Sequence, residues 1–175
     1  MTANVKHLVV VMALGCTVAG CQSHPSTQSA PASSGSASSS SATAQSAKRI
    51  DACAMLSPQD ISGVLGVTVQ GKSTGKTPQM GDCTWENPST LESVTVEISN
   101  PGTARDNKLP PPEAGFPDVS KPGPDGMRLM GGGQVEFAAG NRVNTVQVAV
   151  LKLSPDQANS AAINLARKIT PQVPN

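Results

Sequence analysis

The residues of this 175-residue chain whose types could do chemistry are few: four cysteines, two histidines, a handful of carboxylates and one glycine-lysine-threonine run. Cys53 and Cys83 stand roughly 30 residues apart, a spacing that suits a structural cross-link. A redox or nucleophilic pair would want Cys-x-x-Cys or a nearby base to hold a thiolate. Neither is present, because no histidine follows His24. The same lack rules out a Ser-His-Asp triad and a histidine-ligated zinc site in the rest of the chain. No catalytic residue, metal or cofactor is therefore expected. Asp82 with Glu86, or Asp118 with Asp125, are the carboxylate pairs left for acid–base work, and nothing in their spacing separates them from solvated charges. Gly71-Lys72-Ser73-Thr74-Gly75-Lys76-Thr77 resembles a phosphate-binding loop only in part. Such a loop needs a glycine where Gln70 stands, and a helix should begin where Pro78 and Gly81 follow. It reads as a hairpin loop.

Cys21 carries a different chemistry. Lys6 gives a weakly positive start, Leu8 to Leu14 is an apolar run, and Val18-Ala19-Gly20 precede the cysteine. The run is short of the ~20 apolar residues that span a bilayer. This is the grammar of an export signal. A branched residue, two small residues and then a thiol fit the box at which a bacterial lipoprotein is alkylated by a diacylglyceryl group and cut. Cys16 competes poorly, since the bulky residue before it is misplaced and a cut there would leave little apolar run. Residues 1–20 are expected to be removed, and Cys21 to carry a thioether-linked diacylglyceryl group, with or without a third, amide-linked chain, palmitate among the acyl groups. At ~0.8 kcal/mol per buried methylene, such an anchor is effectively permanent. The bland alternative is a plain secreted protein. In either case the exported context makes Cys53–Cys83 a disulfide.

Composition narrows the partners. Lys6 is the only basic residue before Cys21, so the 13 Lys and Arg fall to 12 and balance the 12 Asp and Glu. A neutral chain has no long-range field for nucleic acid. Aromatics are Trp85, Phe116 and Phe137 alone, too few for a stacking platform for bases or sugars. Residues 21–48 are the lipidated cysteine and a Ser/Ala/Pro tether with no large aliphatic side chain, which cannot bury enough surface to offset ordering. A flexible coil of that length spans ~25–30 Å, and its composition permits O-glycosylation. His24 in it reads as solvated. Residues 49–171 form the expected domain, with 172–175 as a tail; about 125 residues support one core.

Within the domain, Ser57-Pro58-Gln59-Asp60 predicts a capped helix start, Leu56 and Ile61 a hydrophobic staple, and Gly66 the stop. Val67-Thr68-Val69 reads as a strand. Asp82 to Glu86 is the next, with Cys83 and Trp85 on one face. Val94, Val96 and Ile98 alternate with polar residues as a half-buried strand. Asn100 to Gly126 is a long proline- and glycine-rich loop, functional or mobile. Gly131-Gly132-Gly133 reads as a bulge or turn. Gln134–Ala139 and Arg142–Leu153 predict a hairpin through Gly140-Asn141. Ser154-Pro155-Asp156-Gln157 starts a second helix that buries Ala158, Ala161, Ala162, Leu165 and Ile169 and runs to about Ile169. The expected fold is α+β: an antiparallel sheet of about five or six strands, with a short N-terminal helix and a C-terminal helix on one face. Trp85 is either a core anchor or a pocket wall. Phe116 is either tucked in or offered to a partner. With Met127 and Met130 they make the candidate ligand or partner surface, under the Asn100–Gly126 loop.

Asp51-Ala52-Cys53-Ala54-Met55-Leu56-Ser57, the helix ending at Leu65-Gly66, and Cys83-Thr84-Trp85 resemble an uncharacterised secreted lipoprotein domain of actinobacteria, mycobacteria included. The order of parts is similar too: lipidation box, Ser-rich tether, cysteine before a short helix, Cys-x-Trp strand, terminal helix. The resemblance covers roughly residues 50–170. That family has no assigned function, so it implies a cell-envelope lipoprotein and no catalytic residues.

The expected protein is thus a non-enzymatic binding or accessory module. It would sit lipid-anchored on the outer face of the plasma membrane, handled by lipoprotein-processing enzymes, and hold a lipid, a glycolipid or an envelope protein. The alternatives are a passive structural or surface lipoprotein and, behind it, an envelope hydrolase working through carboxylates.

Overall fold

The computed structural model describes residues 49–75, 77–115 and 117–175. None of the described helices is long and apolar enough to cross a membrane. Cys21 and the tether lie outside these residues.

The chain begins in a 3₁₀ turn, Ala52–Met55, and passes into helix α1, Pro58–Leu65. Ser57 and Asp60 form a reciprocal capping box: the Asp60 amide donates to Ser57 Oγ (3.2 Å), and the Ser57 amide donates to Asp60 Oδ2 (2.9 Å). Leu56 and Ile61 are both buried at the staple positions. Gly66, at φ 71°, closes the helix in the left-handed region that glycine takes without cost.

Six strands follow: β1 Gly81–Glu86, β2 Ser93–Ile98, β3 Lys121–Pro122, β4 Arg128–Gly131, β5 Gln134–Ala139 and β6 Arg142–Ala149. They form one antiparallel sheet in the order β1-β2-β6-β5-β4-β3. Helix α2, Pro155–Ile169, closes the fold, started by a second capping box between Ser154 and Gln157. The architecture is α+β, as the residue pattern predicts.

Alternation gives the sheet two unlike faces. Cys83, Trp85, Val94, Val96, Ile98, Val135, Phe137, Val146 and Val148 share one core with Ile61 and Leu65 of α1 and with Ala158, Ala162, Leu165, Ala166 and Ile169 of α2. Small alanines let α2 lie close to the sheet. The other face is polar. Thr84, Thr95, Gln147 and Gln134 fall in one cross-strand row, and the first two share a 3.2 Å hydrogen bond. Asp82, Glu97, Thr145, Glu136 and Arg128 fall in the next. Its last two pair at 3.6 Å.

The Cys53–Cys83 disulfide is formed, with Cα atoms 5.1 Å apart. It pins the 3₁₀ turn to β1. Gly71 lies against the same spot: a Cβ there would stand 2.4 Å from Cys83 Sγ and 2.7 Å from Trp85 Nε1. Tryptophan and disulfide therefore pack together under a glycine.

The structure departs from the sequence reading in four places. Val67–Val69 is no strand; Val67 and Val69 pack beside the core, and the free edge of β1 is met only by Lys72, which bridges Thr84. A two-residue strand, β3, appears inside the long loop, with Pro122 at the sheet's edge, where a missing N–H does least harm. Strand β6 stops at Ala149, because the Leu153 amide turns back to Val150 O (3.1 Å). Residues 172–175 do not trail away: Gln172 Nε2 donates to Met55 O (2.8 Å), and Pro174 O accepts from Arg142.

The hairpin turn at Gly140-Asn141 has φ of 60° and 56°, the primed geometry that suits strand twist. Gly133, at φ 76°, answers a tighter demand. A Cβ there would sit 2.3 Å from Val148 O and 3.0 Å from Ala158 Cβ. Gly133→Ala is expected to cost roughly 2–4 kcal/mol, from overpacking plus left-handed strain. Gly132→Ala, at φ 59° with open space around it, should cost about 1 kcal/mol. Urea midpoints of the two variants test this, and equal losses would refute the close approach.

Candidate functional site

Of the four side chains proposed as a ligand surface, the three described do not come together. Trp85 and Met127 are buried, at 4% and 6% exposure. Trp85 alternates with Cys83 into the core of β1, whereas Met127 precedes β4, with β2, β6 and β5 between the two strands. Met130 is half-buried, sits at the register shift between β4 and β5, and is not among the residues packed on the core. Phe116 lies outside the described residues. Trp85 and Met127 are core anchors, and the surface they were to form is corrected accordingly.

The carboxylate pairs fare no better. Asp82 and Glu86 are four residues apart on one extended strand, ~13 Å along it, beyond the ~5–9.5 Å at which two carboxyls flank a glycosidic bond. Asp125 pairs with Arg167 at 2.8 Å, and Asp118 accepts from the Ser120 amide at 2.9 Å. Among the described residues no three His, Cys, Asp or Glu side chains converge on a point.

The fold builds a site elsewhere, at the pole of the sheet where β1 begins and β2 ends. A cavity of about 590 Å³ opens there. Its floor is Val143 and Thr145; one wall is Thr74, Gly75, Thr77 and Met80; the other is Ser99 and Thr103. Asp82 and Glu97 face each other across β1 and β2 at its side.

The first wall is held by Asp82. Its Oδ2 accepts from the Thr74 amide (2.8 Å) and the Thr74 hydroxyl, and its Oδ1 accepts from Ser73 Oγ (3.2 Å). The loop that looks like a phosphate cradle thus wraps an internal carboxylate: the anion is Asp82. Burial alone would raise the Asp82 pKa. The hydrogen bonds from Thr74, Ser73 and Gly75 outweigh it and hold the carboxyl below its ordinary value. A carboxyl held low is a poor general acid at neutral pH.

That depression carries a pH prediction. A carboxyl lowered in the folded state stabilises fully above its unfolded pKa, and the contribution is lost as pH falls through the folded value. Asp60 is lowered too, by the Lys168 ammonium first and by Ser57 next. Urea stability should therefore fall as pH drops below about 4. Asp82→Asn should flatten the fall by removing one of the lowered carboxyls. An unchanged acid slope in the variant would exclude the Asp82 clamp.

The second wall is held by hydroxyls. Thr103 Oγ1 accepts from the Val143 amide (2.9 Å), donates to Asn100 O (2.9 Å) and lies 2.8 Å from Ser99 Oγ. Beyond it, Asn107 and Asn141 exchange side-chain-to-amide bonds of 2.7 and 3.3 Å, docking the start of the long loop on the hairpin turn.

Arg142 joins the two walls. It is 5% exposed. Its Nη1 donates to Gln79 O (2.7 Å) and Ser99 O (2.6 Å), and its Nε donates to Pro174 O (3.1 Å). No carboxylate among the described residues pairs with it. Burial pulls its pKa down, and a guanidinium remains charged even so. Sequence reasoning missed this residue, because three carbonyls from three distant segments leave no local signature. A charged residue at the first position of a predicted inward-facing strand row was the only signal.

Arg49 donates from Nη2 to Gly75 O (2.9 Å), so the described chain begins at the cavity's first wall. At the opposite pole Leu91 and Leu151 are 71% and 91% exposed. Leu91 holds a positive φ of 61°, costly for a leucine. Glu92 Oε1 accepts from the Leu151 amide (3.0 Å) and so ties the two loops together.

Comparison with protein-family models, with curated proteins and with solved structures yields no match.

Proposed function

We propose that this chain is a cell-envelope lipoprotein, cut before Cys21, lipidated there and held on the outer face of the plasma membrane. Its α+β domain serves as a non-enzymatic binding or accessory module. The observation that carries the export half is the Cys53–Cys83 disulfide, a bond that persists in oxidising compartments. The cavity beside Arg49 supports the binding half, since it lies where the tether would meet the domain. A second reading, docking on an envelope protein, is favoured by the exposed Leu91 and Leu151 at the far pole.

The test is to express the full chain in an actinobacterial host fed an alkyne-bearing palmitate. The wild type and Cys16→Ser should take up label and fractionate with membranes. Their mature N-terminal peptide should begin at Cys21 and carry a diacylglyceryl mass. Cys21→Ser should lose label. Label retained in Cys21→Ser, or no label on the wild type, would sink the anchor.

A further inference from the structure

The cavity between the Thr74–Met80 wall and the Ser99–Thr103 wall has a property that narrows what it can take. Most of the polar groups in its walls are already engaged. Asp82 is satisfied by Ser73 and Thr74. Ser99 and Thr103 are satisfied by each other, by Asn100 O and by the Val143 backbone. A polar ligand is fixed by a small number of free, converging hydrogen-bonding groups. Asp82, Ser99 and Thr103 turn their donors and acceptors into the protein, the Glu97 carboxylate stays exposed at the cavity's side, and the apolar lining is Met80, Val143 and glycine backbone. No described aromatic ring lines it, so nothing there would stack on a sugar or base.

The remaining requirement is for an occupant that asks only for apolar contact and can bend to an irregular wall. Met80, 41% exposed at this site, is the adaptable kind of side chain that suits such an occupant. The volume, about 590 Å³, falls inside the ~300–1,000 Å³ of small-molecule sites. Position supplies the source. The chain reaches this wall from Arg49, and the residues between Cys21 and Arg49 span ~95 Å at most when extended. That is ample to let the cavity touch the membrane surface.

We propose that this cavity holds the acyl chain of a membrane lipid. The chain lies on the polar side of the sheet, over Val143 and Thr145, between the two walls that Arg142 staples. The proposal deepens the binding reading and rests on the anchor only for bringing the domain to lipid.

The test uses the purified full-length Cys21→Ser chain, which has no acyl group of its own, and a diazirine-bearing palmitic acid as probe. After photolysis, adducts are mapped on peptides by mass. They should concentrate on the segments carrying Met80 and Val143–Thr145. Thr145→Asp, which puts a charge on the cavity floor, should cut adduct yield about tenfold or more. Met80→Asp, at an exposed position, does the same without touching the sheet; cooperative unfolding with the disulfide intact certifies either variant as folded. Adducts scattered over the surface, or folded variants that label like the parent, overturn the proposal. Labelling seen only in protein lipidated at Cys21 overturns it too, since the occupant is then the protein's own anchor. An unlipidated Cys21 in the envelope with a labelled cavity would sink the anchor and leave the acyl site standing.

Discussion

Replacing both Cys53 and Cys83 with serine is expected to lower stability by about 3–4 kcal/mol. The bond joins residues 30 apart, and releasing a loop of that size restores chain entropy of roughly this magnitude to the unfolded state. The loss should not be spread evenly. Ile50, Ala52 and Met55 reach the core through the segment that the bond pins to β1. Without it, that segment and α1 are held by their own packing, the Asp60–Lys168 ion pair and the Gln172–Met55 hydrogen bond. Urea unfolding of the double variant, compared with wild type in reductant, measures the effect. Both should show the same lowered midpoint. A difference from the oxidised protein below about 1 kcal/mol would mean that the loop is already constrained by Gly71 and Trp85, and the cross-link would lose its structural role.

Arg142→Met should cost roughly 2–4 kcal/mol. Methionine keeps much of the volume, so the loss comes from three backbone carbonyls deprived of a charged donor. The position of the loss is the sharper expectation. Hydrogen exchange should accelerate in three separate places: around Gln79, around Ser99 and Thr103, and in residues 172–175. Arg142→Lys should rescue little. Nη1 and Nε serve three carbonyls in a fixed fork, and a single ammonium cannot reproduce that geometry. Exchange that changes only near residue 142 would show the guanidinium to be a passenger.

The helices were legible because their grammar is local. Ser57 with Asp60, and Ser154 with Gln157, state each start within four residues, and Gly66 states a stop. The half-buried strands were legible because Val94-Val96-Ile98 and Val146-Val148 alternate with polar residues. Order within the sheet was not: nothing in residues 81–98 says that the β1–β2 hairpin lies against β6. Val67–Val69 has a strand's composition but no partner within reach, since β1's free edge is met by Lys72. The cavity was illegible for a related reason. Its walls come from residues 74–80, 97–103 and 143–145, and Arg142, which joins them, acts on backbone far away in sequence. The ligand surface drawn from Trp85 and Met127 failed because large apolar side chains are first of all core material, and alternation had already put Trp85 beside Cys83.

Strand β2 has two neighbours, β1 just before it and β6 long after it. On the proposed export route, a chain threaded through a membrane from its N-terminus would deliver β1 and β2 early. Their inner edge then waits, unpaired, until Arg142–Ala149 has crossed. Only afterwards can α2 cover the shared core. Non-local pairing of this kind slows folding, and it makes the last third of the molecule the signal that translocation is finished. A truncated or stalled chain would present an open strand edge and an uncovered apolar face, both of which quality-control proteases can read. The proposed anchor would fix where the domain lives; the central seat of β6 sets when it exists.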